Sequence, residues 1–195
     1  MTSPHLESII TQHHGSAHLQ VVFVDIVGYA KRKRANQFAV INDFTRLVNA
    51  SLDQLGRSNP EYTAARGVDF HRDVIKVATG FGLAVVFAFS DLPAAPAEFG
   101  RRLAEAAHQH NHQAQCRQFE KTQWCNCHSS FQLNIVEREG EGVIYREMND
   151  AYGIADSTVD FAQRIPGRDD DNGELVGVGA GAGPRVHPGI LRVEL

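Results

Sequence analysis

The pattern of apolar residues along the chain predicts short buried strands that alternate with amphipathic helices. The valine-rich run from His18 to Asp25 is too short and too β-branched for a buried helix, so it predicts a strand bounded by Gly28. Between Asn36 and Arg57, apolar residues recur at steps of three and four, which predicts one face of a helix that ends at Gly56. That face consists of Phe38, Ile41, Phe44, Val48, Leu52 and Leu55.

The middle of the chain predicts a hairpin followed by a second helix. Strands are expected over Asp69 to Ala78 and over Leu83 to Phe89. The turn Thr79-Gly80-Phe81-Gly82 joins them and has glycines where a positive φ is needed. The alanine-rich stretch from Pro96 to His112 predicts a helix, with proline well placed near its start.

Two more strands and a helix are expected in the later part of the chain. The strands are Phe131 to Val136 and Val143 to Met148, separated by the polar residues 139–142, and the helix runs from Ile154 to Ile165. The predicted order is therefore β-α-β-β-α-β-β-α. Its first six elements match the βαββαβ ferredoxin-like pattern, an α+β fold in which helices cover one face of an antiparallel sheet.

The chain divides into three segments in this interpretation. Residues 1–18 form a polar N-terminal segment and residues 19–165 form the folded domain. After Pro166 comes a charged turn and then a glycine-rich tail over residues 166–195. That tail is expected to hold one or two weak strands or to be loosely ordered.

Composition narrows the class of protein. Hydrophobic residues make up 43% of the chain, which fits a soluble globular protein. No apolar run approaches the ~20 residues of a membrane helix, so no membrane insertion is expected. The N-terminus lacks a signal pattern and the three cysteines are too few for a disulfide framework, which together predict a cytoplasmic location. A net charge of -4 gives no reason to expect nucleic-acid binding.

A strand that ends in an aspartate and turns through a glycine into a helix is suited to binding phosphates. The carboxylate of Asp25 is the hard oxygen ligand that Mg²⁺ or Mn²⁺ prefers. A Gly-x-Gly hairpin tip beside this strand would bring a second carboxylate, and two metals ~4 Å apart promote displacement at phosphorus. The alternative is that Asp25 is an ordinary aspartate in a turn at the end of a strand and binds no metal. The turn amides expected to face a triphosphate are those of Ile26, Val27, Gly28 and Tyr29.

Several segments resemble a class III nucleotide cyclase domain, in the same order and with matching spacing. They are VVFVDIVGY at 21–29, TGFGLAVVF at 79–87 and GIADSTVDFAQRI at 153–165. The resemblance is closest to the stand-alone pyrimidine nucleotide cyclases of bacterial antiphage signalling systems. The segments that point there are FVDIVGYAKRK at 23–33, FEKTQWCNCHSSF at 119–131 and GEGVIYREMND at 140–150.

The resemblance implies a mechanism and a set of partners. Such enzymes are similar in forming head-to-tail homodimers with active sites at the interface, where two metals bound by two aspartates activate the ribose 3′-hydroxyl of a nucleoside triphosphate. Asp25 matches the first metal aspartate, and the carbonyl of Ile26 assists it. Arg164 matches the arginine that stabilises charge on the α-phosphate; the alternative is a solvated cation at a helix end. A downstream effector, often membrane-bound, would bind the cyclic product.

The chain departs from the family pattern at the site itself. Phe81 stands where the second metal aspartate is expected, and a phenyl ring cannot ligate a metal. Asp160 replaces the asparagine four residues before Arg164 and would repel phosphates unless a metal or base compensates. Val136 replaces a glycine, and Glu137 stands where an apolar residue is usual. These differences are typical of a degenerate or altered copy.

Base selection is expected to differ from that of adenylate cyclases. The lysine and aspartate that those enzymes use stand at positions held here by Val77 and Gly153. Lys76 is one residue away, and a one-residue step in a strand points to the opposite face. The substitutions favour a pyrimidine or a relaxed choice of base, with uracil and cytosine both open.

Two other clusters carry alternative interpretations. The basic run from Lys31 to Arg34 would attract a triphosphate toward Asp25, or it is simply a solvated loop.

A cysteine-rich loop suggests a zinc site, but its spacing is not that of a zinc finger, and ligands adjacent in sequence cannot easily face one ion. The same thiols are otherwise ordinary loop residues. The candidate zinc ligands are Cys116, Cys125, Cys127 and His128, with His110 or His112 as a further one.

Three functions follow from the sequence. The first is a pyrimidine nucleotide cyclase that makes cyclic UMP or cyclic CMP as an antiphage second messenger. The second is a catalytically silent cyclase-like dimer that binds nucleotide or regulates a partner, and Phe81 and Asp160 favour it. The third is an adenylate or guanylate cyclase with unusual base contacts, which Val77 and Gly153 disfavour.

Overall fold

A computed structural model describes residues 2–114, 121 and 130–155 of the chain. Five strands and five helices are present in these ranges, together with a 3₁₀ turn at Tyr29–Lys31. The helices are α1 (Pro4–Gln12), α2 (Arg34–Ser58), α3 (Pro60–Arg66), α4 (Phe70–Asp73) and α5 (Ala95–Ala114). The strands are β1 (Ser16–Ile26), β2 (Ile75–Ala78), β3 (Gly82–Phe87), β4 (Leu133–Arg146) and β5 (Tyr152–Ala155).

The strands form one antiparallel sheet in the order β2-β3-β1-β4-β5. With α2 and α5 in the two crossovers, the first four strands have the ferredoxin-like arrangement, so the predicted α+β fold class is confirmed. β1 lies in the centre and pairs along its whole length with β4. This central position fixes the end of β1, where Asp25 lies, between β3 on one side and β4 on the other.

The two long helices pack on one face of the sheet, as expected. Side chains of a strand alternate between faces, so β1 directs Val22, Val24 and Ile26 toward α2 and α5. Leu52 and Leu55 of α2 meet Phe99 and Leu103 of α5 in the same fully buried layer. Phe38 is an exception to the predicted apolar face: it is 69% exposed, and Val40 is buried instead. The rest of the predicted apolar face of α2 is buried or partly buried.

The other face of the sheet is also covered, by a helix that the sequence analysis did not predict. α1 begins at Pro4, and the hydroxyl of Ser3 caps it by accepting a hydrogen bond from the Leu6 amide at 3.0 Å. Leu6 and Ile9 are buried against Leu19, Val21, Phe23 and the neighbouring strands. The sequence pattern that would predict α1 is weak, because this short helix has only three apolar residues in a polar, histidine-rich stretch.

Four predicted elements differ from the structure, and one further helix was not predicted. The strand expected over 69–78 is split: Asp69 caps the short α4 by accepting from the His71 amide, and β2 begins only at Ile75. The two strands expected on either side of residues 139–142 are one continuous strand, because β1 satisfies the backbone of this polar segment along its whole length. Ile154 belongs to β5 rather than to the start of a helix, and α3 was not predicted.

Within the part of the chain that the structure describes, no helix is long and apolar enough to cross a membrane.

Candidate functional site

The candidate site lies where β1 ends between two neighbouring strands. Asp25 is paired with Gly82 of β3 on one side and with Asn134 of β4 on the other. By alternation, its carboxylate lies on the same face of the sheet as Phe23 and Val21, opposite the two long helices. Asp25 is only partly buried, so solvent reaches part of this residue at the end of β1.

The hairpin tip beside Asp25 depends on its two glycines for different reasons. Gly80 has a φ of +81°, the left-handed conformation that other residues adopt only with strain. Gly82 is needed for space, because a Cβ there would overlap with the carbonyl oxygen of Val24 and lie 2.7 Å from Asp25 Oδ1. Removing the side chain at position 82 is what lets the carboxylate lie across β3.

Phe81 occupies the tip of this hairpin, directly beside the end of β1. Its carbonyl oxygen accepts a hydrogen bond from the Ile26 amide at 3.1 Å. Its ring lies next to the ring of Tyr29, with centroids 5.8 Å apart and planes inclined by 42°. The ring of Phe81 therefore makes a packing contact at the tip of the hairpin.

The turn after β1 offers fewer free amides than the sequence suggested. The Ile26 amide is used by Phe81, and the Val27 amide donates to the Gln132 carbonyl at 3.0 Å. Gly28 adopts the left-handed conformation, with φ of +63°, and starts the 3₁₀ turn of Tyr29–Lys31. Of the four predicted phosphate-facing amides, those of Ile26 and Val27 are therefore committed to the fold, and the prediction is reduced to Gly28 and Tyr29.

The residues at this site fit one divalent cation but do not fit the expected pair. Mg²⁺ or Mn²⁺ commonly binds one or two carboxylates together with substrate phosphates, and Asp25 with the Ile26 carbonyl can supply the protein part of one such shell. At position 81 the aromatic ring supplies no ligand atom. Among residues 2–114, 121 and 130–155, no three His, Cys, Asp or Glu side chains come together to hold a metal.

The two predicted base-selecting positions lie on different strands and different faces. Val77 of β2 shares the face of Asp25, whereas Lys76 lies on the opposite face and donates from Nζ to the His71 carbonyl at 2.8 Å. The predicted separation of these neighbours is thus seen. Gly153 is paired with Tyr145 at the other end of the strand order, and a Cβ there would lie 2.7 Å from the Tyr145 hydroxyl. Tyr145 fills the space that a side chain at 153 would need.

The basic run beside the site contains three exposed cations and one buried one. Arg32 is 4% exposed and donates from Nη2 to the Ser130 carbonyl at 3.0 Å, so it ties the turn to the start of the β4 region. Lys31, Lys33 and Arg34 are exposed. The interpretation of the whole run as a loop that attracts phosphates therefore applies to these three residues only.

One residue at the site was missed by the sequence analysis. Asn134 lies directly across from Asp25 in β4 and is the second polar side chain on that part of the sheet. The signal was available, since Asn134 is a polar residue within the predicted strand Phe131 to Val136. Six other predicted residues lie outside the described residues: Asp160, Arg164, Cys116, Cys125, Cys127 and His128.

One predicted departure lies away from the site. Glu137 projects from β4 toward α5, and its carboxylate would be 3.6 Å from a Cβ added at Gly100. Burial raises the pKa of Glu137 above its usual range. The carboxyl group is therefore a feature of the helix-covered core, on the opposite face from Asp25.

Comparisons with known proteins give structural similarity only. No family model and no curated protein matches the chain. Among solved structures, the guanylyl cyclase domain of the RhoGC fusion protein from the aquatic fungus Blastocladiella emersonii matches over 71% of this chain, with 14% identity and a TM-score of 0.44. A bacterial light-regulated adenylyl cyclase matches over 73%, with 11% identity and a TM-score of 0.49. The matches span 67% and 65% of those two chains, and at these identities the likeness concerns the fold alone.

Proposed function

We propose that the chain is a nucleotide cyclase domain of the pyrimidine type, which converts UTP or CTP into the 3′,5′-cyclic nucleotide and pyrophosphate. The observation that carries the proposal is the meeting of Asp25 with the glycine hairpin of 79–82 at the open end of β1. The resemblance of the sequence to antiphage cyclases extends the proposal to a second messenger in defence, read by a downstream effector.

The chemistry assigned to the site is a displacement at the α-phosphorus. The ribose 3′-oxygen forms a bond to that phosphorus, the bond to the bridging oxygen of pyrophosphate breaks, and the hydroxyl proton passes to solvent. In this proposal Asp25 would hold one divalent cation, which would supply positive charge to the phosphates, and the exposed side chains of Lys31 and Lys33 attract the triphosphate. With a phenyl ring at position 81, no step is assigned to a second metal.

A pyrimidine is favoured by what surrounds Val77. Val77 presents an apolar side chain on the face of Asp25, and the amine of Lys76 is held on the other face by its bond to the His71 carbonyl. A site without this amine lacks one of the polar contacts that an adenine would use. Adenylate and guanylate cyclase activities remain outcomes of the test below.

A second candidate function is favoured by Phe81 in particular. A cyclase-like domain without its second carboxylate would bind nucleotide, or pair with an intact copy, and regulate rather than catalyse. For both functions we propose a dimer of this chain or of close relatives, with active sites at the interface. Light scattering of the purified full-length chain tests whether it forms a homodimer.

One experiment separates the candidates. The purified chain is incubated with Mn²⁺ and each of the four ribonucleoside triphosphates, and cyclic product is measured by mass spectrometry. Product from UTP or CTP that is lost in Asp25→Ala, but kept in the matched control Asp53→Ala, supports the cyclase. Product that persists in Asp25→Ala contradicts the site. Absence of product from the wild type, with activity gained by Phe81→Asp together with Asp160→Asn, supports the silent domain.

A further inference from the structure

The hairpin tip at position 81 is attached to the rest of the site by apolar and backbone contacts. The Ile26 amide donates to the Phe81 carbonyl, and the Phe81 amide donates to the Thr79 carbonyl at 3.0 Å. The ring of Phe81 then lies beside that of Tyr29, in the turn that follows β1. The tip is thus connected to both the end of the strand and the turn beyond it.

Tyr29 is itself held from its other side. Its carbonyl oxygen accepts hydrogen bonds from the side-chain Nε2 of Gln37, at 3.2 Å, and from the Arg32 amide, at 3.1 Å. Its ring also packs against the core layer between the sheet and the two long helices. Because Tyr29 is fixed by α2 and by the core, the ring that touches it is fixed as well.

In a site with two metal aspartates, a cation between their carboxylates would join the hairpin tip to the end of β1. In this chain the ring pair joins the same two segments and needs no ion. We propose that Phe81 replaces a metal bridge with an aromatic one, so that the site is assembled before any divalent cation or nucleotide binds. The inference deepens the proposed function, on which it rests only for the identity of the nucleotide.

An assembled, metal-free tip has a measurable consequence. Ligands that bind only the native state raise its stability, so a cation that bridges the tip would raise the melting temperature. A single carboxylate without substrate phosphates binds a divalent cation weakly. We therefore expect the melting temperature of the nucleotide-free wild type to be the same, within about 1 °C, in Mn²⁺ and in EDTA.

The full chain and two variants test the inference by thermal melting in Mn²⁺ or EDTA. Phe81→Asp restores a second carboxylate, and we expect Mn²⁺ to raise its melting temperature by a few degrees, roughly 2–4 °C. Phe81→Tyr keeps the ring and serves as the matched control, with no response to Mn²⁺. A wild type that Mn²⁺ stabilises as much as Phe81→Asp would overturn the inference, and so would a Phe81→Asp variant that folds and does not respond.

Hydrogen exchange at the Ile26 amide gives a second measurement. This amide reports the tip directly, because it donates to the Phe81 carbonyl at 3.1 Å. We expect exchange to be up to about tenfold faster in Phe81→Leu, which loses the ring contact, and unchanged in Phe81→Tyr. Equal exchange in all three proteins would contradict the ring bridge. If Phe81→Leu does not fold, the response of the wild-type melting temperature to Mn²⁺ still decides whether the tip is held without a metal ion.

These readouts are separate from the formation of cyclic nucleotide. A wild type that forms no product but is indifferent to Mn²⁺ contradicts the proposed function and leaves the aromatic bridge standing. A wild type that forms product but needs Mn²⁺ to hold its melting temperature contradicts the bridge alone.

Discussion

Gly82 and Asp25 fit against each other across the β1–β3 ladder, and a Cβ at Gly82 would stand only 2.7 Å from Asp25 Oδ1. The same Cβ would overlap with the Val24 carbonyl oxygen, which is backbone and cannot rotate away. The absence of a side chain at position 82 therefore sets both the pairing of the hairpin and the position of the carboxylate.

The two hairpin glycines are expected to respond differently to alanine. Gly82→Ala forces the ladder apart, and we expect it to lower the free energy of unfolding by about 3 kcal/mol. Gly80→Ala has open space for its Cβ but keeps a φ of +81°, which costs about 1 kcal/mol. Urea unfolding of both variants measures the difference. A larger loss for Gly80→Ala would mean that space at Gly82 is not the constraint.

Asp73 is the most completely buried carboxylate among the described residues, and its charge is compensated. Arg72 donates to it from Nε and Nη2, both at 2.9 Å, and the Asp69 amide donates at 2.7 Å. Burial raises the pKa of Asp73, but hydrogen bonds from Arg72, Ser3 and Asp69 outweigh burial and hold the pKa below its usual range. The charged form is thus favoured by folding.

Removing this carboxylate should be costly and should change the response to acid. We expect Asp73→Ala to lower the free energy of unfolding by about 3 kcal/mol, because it removes the shared acceptor of Arg72, the buried Ser3 and the Asp69 amide. A lowered pKa stabilises the fold above the unfolded pKa of ~4, and this contribution is lost as pH falls through the folded value. Urea unfolding at pH 7 and pH 3 measures both effects. Asp43→Ala, which removes an exposed pair with Arg46, is the control and should change stability by less than ~0.5 kcal/mol.

Glu137 has the opposite linkage to pH. Burial raises its pKa, so below the unfolded value of about 4.5 the group is protonated in both states and costs nothing. As pH rises through the raised folded value, the folded state must accept a desolvated charge and stability falls. We expect Glu137→Leu to raise the free energy of unfolding by roughly 1 kcal/mol at pH 7, and by less at pH 4. Equal gains at both pH values would show that the carboxyl group is not the cause.

The long, strongly patterned elements were predictable from sequence, and the reason is local. α2, α5, β1 and the β2–β3 hairpin each show their period within one continuous segment, and their strand order follows from the βαββαβ pattern. Asp25 could be located because a strand end and a glycine turn are adjacent in sequence. The position of Asp25 beside the hairpin tip of residues 79–82 followed from the βαββαβ pattern.

The parts that were missed depend on contacts between distant segments. Residues 139–142 read as a turn, but β1 supplies the ladder partners that keep them extended. α1 has few apolar residues of its own and is held by far partners: the Tyr152 hydroxyl accepts from the Ser3 amide and donates to Glu7. The burial of Arg32 is likewise visible only through Ser130, 98 residues away.

The opposite orientations of Val77 and Lys76 give a prediction about base choice. Val77→Lys places an amine on the face of Asp25, and we expect the product ratio to shift toward purine nucleotides. Lys76→Ala removes an amine that is bound to the His71 carbonyl on the other face, and it should leave the ratio unchanged. The measurement is product formed from an equal mixture of the four triphosphates. A changed product ratio in Lys76→Ala would mean that the base lies on the face of Lys76 and not on the face of Asp25.

The basic segment next to the site should act through charge at its exposed residues and through packing at Arg32. Reversing Lys31 and Lys33 to glutamate should weaken nucleotide binding at low ionic strength, and the loss should shrink at ~0.15 M salt and above, because exposed charges are screened there. Arg32→Met instead removes the bond to the Ser130 carbonyl, so we expect lower stability and no comparable salt dependence. Titration calorimetry with UTP at two salt concentrations, paired with urea unfolding, separates the two effects. Unchanged affinity in the double reversal at low salt would remove these lysines from the site.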